Sequence, residues 1–493
     1  MRHLLFAILV LTLIVPLAHA AEDETDDAKL SASTLSALKF RNIGPAINSG
    51  RVVEFAVTPG KRHRFFVAVA SGGVWKTENA GTTWTPVFDG EGSYSIGTIR
   101  MDPHNPNVIW VGTGENNSQR SVSFGDGVYK SLDGGQSWTN VGLPESEHIG
   151  GIAIDPRDTD VVYVAAQGPL WRSGGDRGLY KTTDGGDTWE RILHVDDDTG
   201  ANEVWMDPRD PDTLYASTYQ RRRHVWTLIN GGPGSGIWKS TDAGATWREL
   251  ERGLPKVDMG RIGLAISPVN PDVIYAIAEA QRDEGGVFRS TDRGESWTKR
   301  SDYMSRSPQY YNELVADPHD VDTVYSMDTI LHVSTDGGAT FERVNVEHKH
   351  VDDHALWLDP DDPDYMLIGN DGGVYESFDR GDSWLFKENL PITQFYRVFV
   401  DDARPFYRVF GGTQDNNSMG GPSRTLRSEG ISNEDWFITV GGDGYETVVD
   451  PTNPDVIYSQ WQYGGLVRYD RRSEEIVDIQ PQEEPGEDAH RWN

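Results

Sequence analysis

The 493-residue sequence contains no cysteine, so no disulfide holds the chain together and its stability must come from packing. Basic charge is also scarce: 45 Lys and Arg stand against 77 Asp and Glu, a formal net charge of −32. Nucleic-acid binding needs a basic footprint, so this balance argues against nucleic acid and disfavours anionic membrane surfaces. Helical 3.6-residue periodicity is almost absent. Long apolar runs are missing except at residues 4–17, which are too few to span a bilayer. Arg2 and His3 precede that run and Ala18-His19-Ala20 follows it, the pattern of a secretory signal peptide over residues 1–20. The expected location is secreted, periplasmic or cell-envelope, with no membrane span in the mature chain. Residues 21–38, opening "AEDETDDAKLSAS", are acidic and poor in apolar side chains, and read as a flexible lead-in.

What is present is glycine, tryptophan and tyrosine, at 53, 16 and 19 residues, a composition suited to strands joined by tight turns. "GVYKSLDGGQSW" (127–138) recurs as "GVWKTENAGTTW", "GLYKTTDGGDTW", "GIWKSTDAGATW", "GVFRSTDRGESW", "LHVSTDGGATF" and "GVYESFDRGDSW". A second phrase, such as "IDPRDTDVVYVA", puts a Pro turn between two apolar runs. Nine such turns run from Pro59 to Pro451, about 49 residues apart. Each unit therefore reads as four short antiparallel strands, the size of a propeller blade. The fold expected for residues 39–493 is an all-β propeller of about nine visible blades, either one large ten-bladed ring or two smaller propellers.

The repeated box is the hairpin between a blade's third and fourth strands. Its acidic position is held by Asn79, Asp133, Asp184, Asp242, Asp292, Asp336 and Asp379. A short Asx side chain there accepts turn amides, the following glycine takes a positive φ, and the tryptophan packs between sheets. Residues spread around a ring on separate blades do not converge on one substrate, so the boxes are scaffold.

The S-x-D-x-G-x-T-W pattern resembles the Asp-box, or BNR, repeat of sialidases, family 74 xyloglucan-cleaving glycosidases and sortilin/Vps10 receptors. The wider phrases "FRNIGPAINSGRV", "HVDDHALWLDP", "GGTQDNNS" and "GGDGYETVVDPTNPDVIYSQWQYGGLVRYD" are most similar to exported bacterial proteins classed with the sortilin N-terminal domain. That resemblance implies a propeller that binds peptide or glycan through its loops, and a chain that continues beyond Asn493 into further repeats. Family 74 enzymes place a catalytic Asp just before a glycine pair, where this sequence has Ala70-Ser71, so that role does not carry over. Arg41 stands in a phrase similar to the sialidase opening motif, without an assignable arginine triad.

Chemistry is expected opposite the boxes, where second-to-third and fourth-to-first connections share a face. Candidate ligand-binding residues there are Glu115, Asn116, Asn117, Arg120, His350, His354, Asn370, Asp371, Gln414, Asp415, Asn416, Asp443, Tyr445 and Tyr463, with Asn48, Arg51, Gln167 and Gln460 in the same connections. In "HKHVDDHALWLDP", His348, His350, Asp352 and His354 share one side of an extended chain. His350, Asp352 and His354 are thus candidates for a divalent metal such as zinc or manganese; no other cofactor is implied. Alternatively Asp352 or Asp353 pairs with Asp371 as acid and base, with Asp415 and Asp443 as further catalytic candidates. A glycosidase requires its two carboxyls about 5 to 9.5 Å apart. "YQRRRHVW" (219–226) is a basic patch suited to a carboxylate or uronate, unless neighbouring acids balance it. Three functions remain: a peptide- or glycan-binding propeller, which the loop residues favour; a polysaccharide hydrolase with its own carboxylates; and a structural module of the envelope.

Overall fold

The computed structural model describes residues 32–491; the expected signal peptide, residues 1–20, and most of the expected lead-in, residues 21–38, lie outside the described residues. The described residues 32–42 fall in a unit of their own with a short 3-10 turn, Ala32–Leu35. The remainder is all-β, and its described residues form nine sheets, each built on a four-stranded antiparallel blade. Blade three shows the plan with strands Ile149–Ile154, Val162–Ala166, Gly178–Thr182 and Glu190–Leu193. Val162–Ala166 is buried at every position because sheets cover both of its faces, which is why it reads as a continuous apolar run. In blade four the second strand, Asp210–His224, extends beyond the sheet and pairs with Thr227–Asn230 as a projecting hairpin.

Between successive blades lies an apolar core, and these cores show how the ring closes. Val52, Phe55, Val67 and Trp75 of blade one pack with Ala355, Leu367 and Val374 of blade seven. Blades one to seven therefore form a closed ring. Blades eight and nine pack on one another around Phe410, Val449, Ile457 and Tyr469. This closure departs from the expectation of a single ten-bladed ring; of the alternative, two smaller propellers, the described residues form one closed ring and a further pair of blades. Seven wedges already bring blade seven's first strand, Asp353–Leu358, against blade one's first strand, Val52–Val57, leaving no gap for two more.

The first strand of a blade lines the central channel, and in several blades it carries a β-bulge near its start. Register shifts occur at Val52/Glu54, Ile96/Thr98, Ala201/Glu203 and Asp353/Ala355. A bulge re-aims side chains that regular alternation would bury or expose. It delivers Glu54, Glu203 and His354 to a cavity of about 580 Å³ that Asn116 and Glu313 also line.

Candidate functional site

Arg51 emerges just before blade one's first strand and is 6% exposed. Its Nε and Nη2 donate to the two oxygens of Asp371 at 2.7 and 2.8 Å. Nη1 donates to Glu115 Oε1 at 2.5 Å, and Asp415 Oδ2 lies 3.6 Å from Nη2. The guanidinium sits 4.8 Å from the centre of the Tyr310 ring, whose hydroxyl donates to Asp371 Oδ2 at 3.0 Å. One cation thus gathers carboxyls from blades two and seven and from blade eight's loop.

Three carboxyls around one guanidinium cannot all stay ionised at low cost. Burial alone would raise Asp371, but Arg51 and then His354 hold it well below the usual carboxylate range. The charge excess falls on Asp415. Burial first, and then the Asp371 charge with which it shares a hydrogen bond, raise its carboxyl to about 9. The pair therefore holds one proton at neutral pH.

Around this core the loops are tied by backbone bonds. Asn416 Nδ2 donates to Asp371 O at 2.8 Å, and the Asp415 amide donates to Asp443 Oδ1 at 2.8 Å. The Asp443 amide donates in turn to Gln462 Oε1 at 2.7 Å. Asn117 Nδ2 steadies Glu115 at 2.7 Å. Tyr311 donates to Asp352 and stacks on His354, their rings 5.2 Å apart. Beside the cluster, blades eight and nine expose Tyr396, Tyr445, Trp461 and Tyr463 on the same loop face.

The family model described as "Sortilin, neurotensin receptor 3," matches residues 126–283. A xyloglucanase of Acetivibrio thermocellus is 25% identical over 352 residues, 58% of this chain and 38% of that protein. A xyloglucanase of Hypocrea jecorina is 20% identical over 483 residues, 81% of this chain and 54% of the relative. The chain therefore spans between about two fifths and just over half of the length of these relatives. The solved GH74 xyloglucanase of Xanthomonas campestris matches with a TM-score of 0.59 at 14% identity, covering 90% of this chain and 75% of that one. PorZ, a surface component of the type-IX secretion system of Porphyromonas gingivalis, matches at 0.51 and 13%, over 91% and 54% of the two chains. The chain is an Asp-box β-propeller similar to the sortilin domain and the GH74 xyloglucanases.

In this propeller the boxes are turn scaffold. Thr182 Oγ1 donates to Asp184 Oδ1 and accepts the Gly186 amide, while Asp184 accepts the amide and hydroxyl of Thr188. Asp133, Asp242, Asp292, Asp336 and Asp379 repeat the pattern, and Asn79 keeps its backbone part. These hydrogen bonds, the Thr188 hydroxyl first, hold the exposed Asp184 carboxylate down at about 2.

The structure brings together Glu115, Asp371, Asp415, Asp443 and His354, but it does not form the stripe expected of His348, His350, Asp352 and His354. The strand begins only at Asp353. His348 and Asp352 have φ of 60° and 65°, and His354 lies at the bulge, so alternation is broken. His348 faces solvent, and His350 Nδ1 turns to the Val351 carbonyl at 2.7 Å. His354 Nε2 is 3.2 Å from Asp371 Oδ1 without hydrogen-bond geometry. Among the described residues no group of three or more His, Asp or Glu is arranged to hold a metal ion.

Asp353 is fully buried, with Lys349 Nζ at 2.6 and 2.7 Å and the Leu331 amide at 2.8 Å. Asn370 is buried and ties the His350 carbonyl to the Gly372 amide. Gln414 contributes its carbonyl to Asn416, Asn116 turns into the channel beside Glu313, and Arg120 stands exposed. Sequence reasoning missed Tyr310 and Tyr311 entirely and gave Arg51 no role.

Proposed function

We propose that this propeller is an exported ligand-binding protein that takes a glycan or peptide chain on its loop face, at the mouth formed by blades one, seven, eight and nine. The observation that carries this reading is the Arg51 cluster bordered by exposed Tyr396, Tyr445, Trp461 and Tyr463. Flat rings stack on sugar faces or peptide planes, and Asp415 and Asp443 beside them offer hydrogen-bonding edges. A buried ion-pair core keeps those loops in place without a ligand, so less ordering entropy is lost on binding.

A second reading, glycan hydrolysis, draws support from the likeness to xyloglucanases. The geometry at Arg51 favours it less. Asp371 and Asp415 are in direct hydrogen-bond contact, which leaves no room for a glycosidic bond between them. Asp371 is also 3% exposed at its side chain.

A panel of neutral oligosaccharides and peptides, screened against the full chain by calorimetry with reducing-sugar release measured in parallel, tests both readings. Saturable binding without sugar release supports the binding protein. Steady turnover of any glycan would overturn it in favour of the hydrolase.

A further inference from the structure

A second surface lies on the same face, over blades two, three and four, and uses side chains that the Arg51 cluster does not. Three loops meet there. Arg221 Nη1 donates to Asn117 O at 2.8 Å and Nη2 to Gly168 O at 3.3 Å. The Arg223 amide donates to Leu170 O at 2.8 Å, and its Nε to Ser118 O at 2.6 Å.

Elsewhere among the described residues the buried arginines Arg51, Arg261 and Arg408 each meet a carboxylate. Arg177 and Arg221 are fully buried, yet their hydrogen-bond partners are backbone carbonyls such as Gln167 O and Asn117 O. Arg120, Arg177, Arg221 and Arg223 have no carboxylate within 4.0 Å among the described residues. Arg172 and Arg222 in the same loops do, through Glu147 at 3.1 Å and Asp198 at 3.5 Å. Arg221 Nε is buried without a partner. Burial, followed by neighbouring positive charge from Arg177, pulls Arg221 down to about 9. A guanidinium stays protonated in proteins, so the shift reflects a charge buried away from water rather than a lost proton.

Exposed rings lie on the same loops. Trp226 is 81% exposed at the hairpin tip with His224 stacked on it at 5.2 Å, and Trp171 is 46% exposed on the neighbouring loop. Indole faces take sugar rings, and guanidinium forks take carboxylates. We propose that the loops of blades two, three and four bind a glycan chain carrying uronate carboxylates, with Trp226 and Trp171 as stacking rings and Arg120 and Arg223 as carboxylate partners. A ligand with about one charge per sugar suits the site. A dense polyanion such as nucleic acid meets the protein's net charge of −32, whereas local pairing acts within a Debye length of about 8 Å.

The test titrates the full chain with hexamers of galacturonate, glucuronate and mannuronate, their carboxyl-reduced counterparts, and hexaglutamate. At least one uronate hexamer should bind, and its reduced form should bind at least about tenfold more weakly. Arg120→Gln and Trp226→Ala change exposed side chains and should each weaken binding by about tenfold with the unfolding midpoint unchanged. Failure of every uronate hexamer, or equal binding of the reduced form, would overturn the proposal. Hexaglutamate binding as tightly as the uronates, with Trp226→Ala without effect, would overturn it in favour of an acidic peptide. Neutral-ligand binding at Tyr445 and Tyr463 is read separately, so either site can fail without the other.

Discussion

Arg51 and Asp371 meet through two parallel hydrogen bonds of 2.7 and 2.8 Å at the seam where blade one closes on blade seven. Both side chains are buried, so each charge depends on the other for compensation. Arg51→Leu would leave Asp371 buried beside Tyr310 without its cation. The expected loss is about 3 to 5 kcal/mol in urea unfolding, the usual cost of breaking a buried pair from one side. Arg51→Leu combined with Asp371→Leu removes that pair and should recover part of the loss, the remainder being buried Glu115 without its cation. A single variant as stable as the parent chain would mean the pair does not hold the seam.

Asp415 gives the site a pH dependence of definite sign. Its carboxyl titrates at about 9 when folded, raised by burial and Asp371. In the unfolded chain it titrates at about 4. Between those values the folded state holds the extra proton, so this group makes stability fall as pH rises. Asp371 acts oppositely: its depressed folded value contributes stability above about pH 4 that is lost on further acidification. Asp415→Asn imitates the protonated acid. Its Tm should match the parent chain near pH 4 and exceed it at pH 8. Melting curves recorded across that range check this, and a difference independent of pH would count against the shared proton.

The blades were legible because their signal is local. The box needs a hydroxyl, an Asx and a glycine at fixed offsets, and Asp184 with Gly186 shows each doing what its residue type predicts. Ring size was not legible, because it depends on the wedge angle between sheets, which no motif encodes. The loop face was legible as a location: Glu115, Asp371, Asp415 and Asp443 do converge there. Their roles were not, because Arg51 reaches partners 64 and 320 residues away in sequence. The histidine stripe failed for a physical reason. A positive φ at Asp352 and a bulge at His354 break the two-residue alternation on which it rested.

Trp189 tests the scaffold reading of the boxes. Its ring lies edge-on to Trp110 of blade two at 6.4 Å, and its Nε1 donates to Val141 O at 2.7 Å. Trp189→Ala should destabilise by about 3 kcal/mol, the low end for emptying an aromatic site because the ring is only half-buried. Ligand affinity of the folded fraction should not change. A variant that melts like the parent chain but no longer binds would place function on the box face.

The last prediction concerns which side chains meet the ligand at the mouth. Asp371 is enclosed by Arg51, Tyr310 and Glu115's cation-sharing contact, so substituting it tests the seam more than recognition. Tyr445 and Tyr463 are different: they are 42% and 71% exposed, and their loss leaves no cavity in the interblade cores. Tyr463→Ala should leave the unfolding midpoint within about 0.5 kcal/mol of the parent chain, the usual range for a surface change. Tyr445→Ala should cost slightly more, because Arg397 rests 5.2 Å from its ring. Each should weaken a bound neutral oligosaccharide or peptide by about 1 to 3 kcal/mol, a stacking-sized loss. Asp443→Asn keeps its shape and can still accept the Asp415 amide, so it removes charge alone. If a bound peptide carries a cation that pairs with Asp443, that change lowers affinity as salt does. If the ligand uses Asp443 only to order the loop, affinity is unchanged while Tyr445→Ala still weakens it. Calorimetry on the three variants at low and physiological salt separates the two, and full affinity in all three would move the ligand away from this mouth.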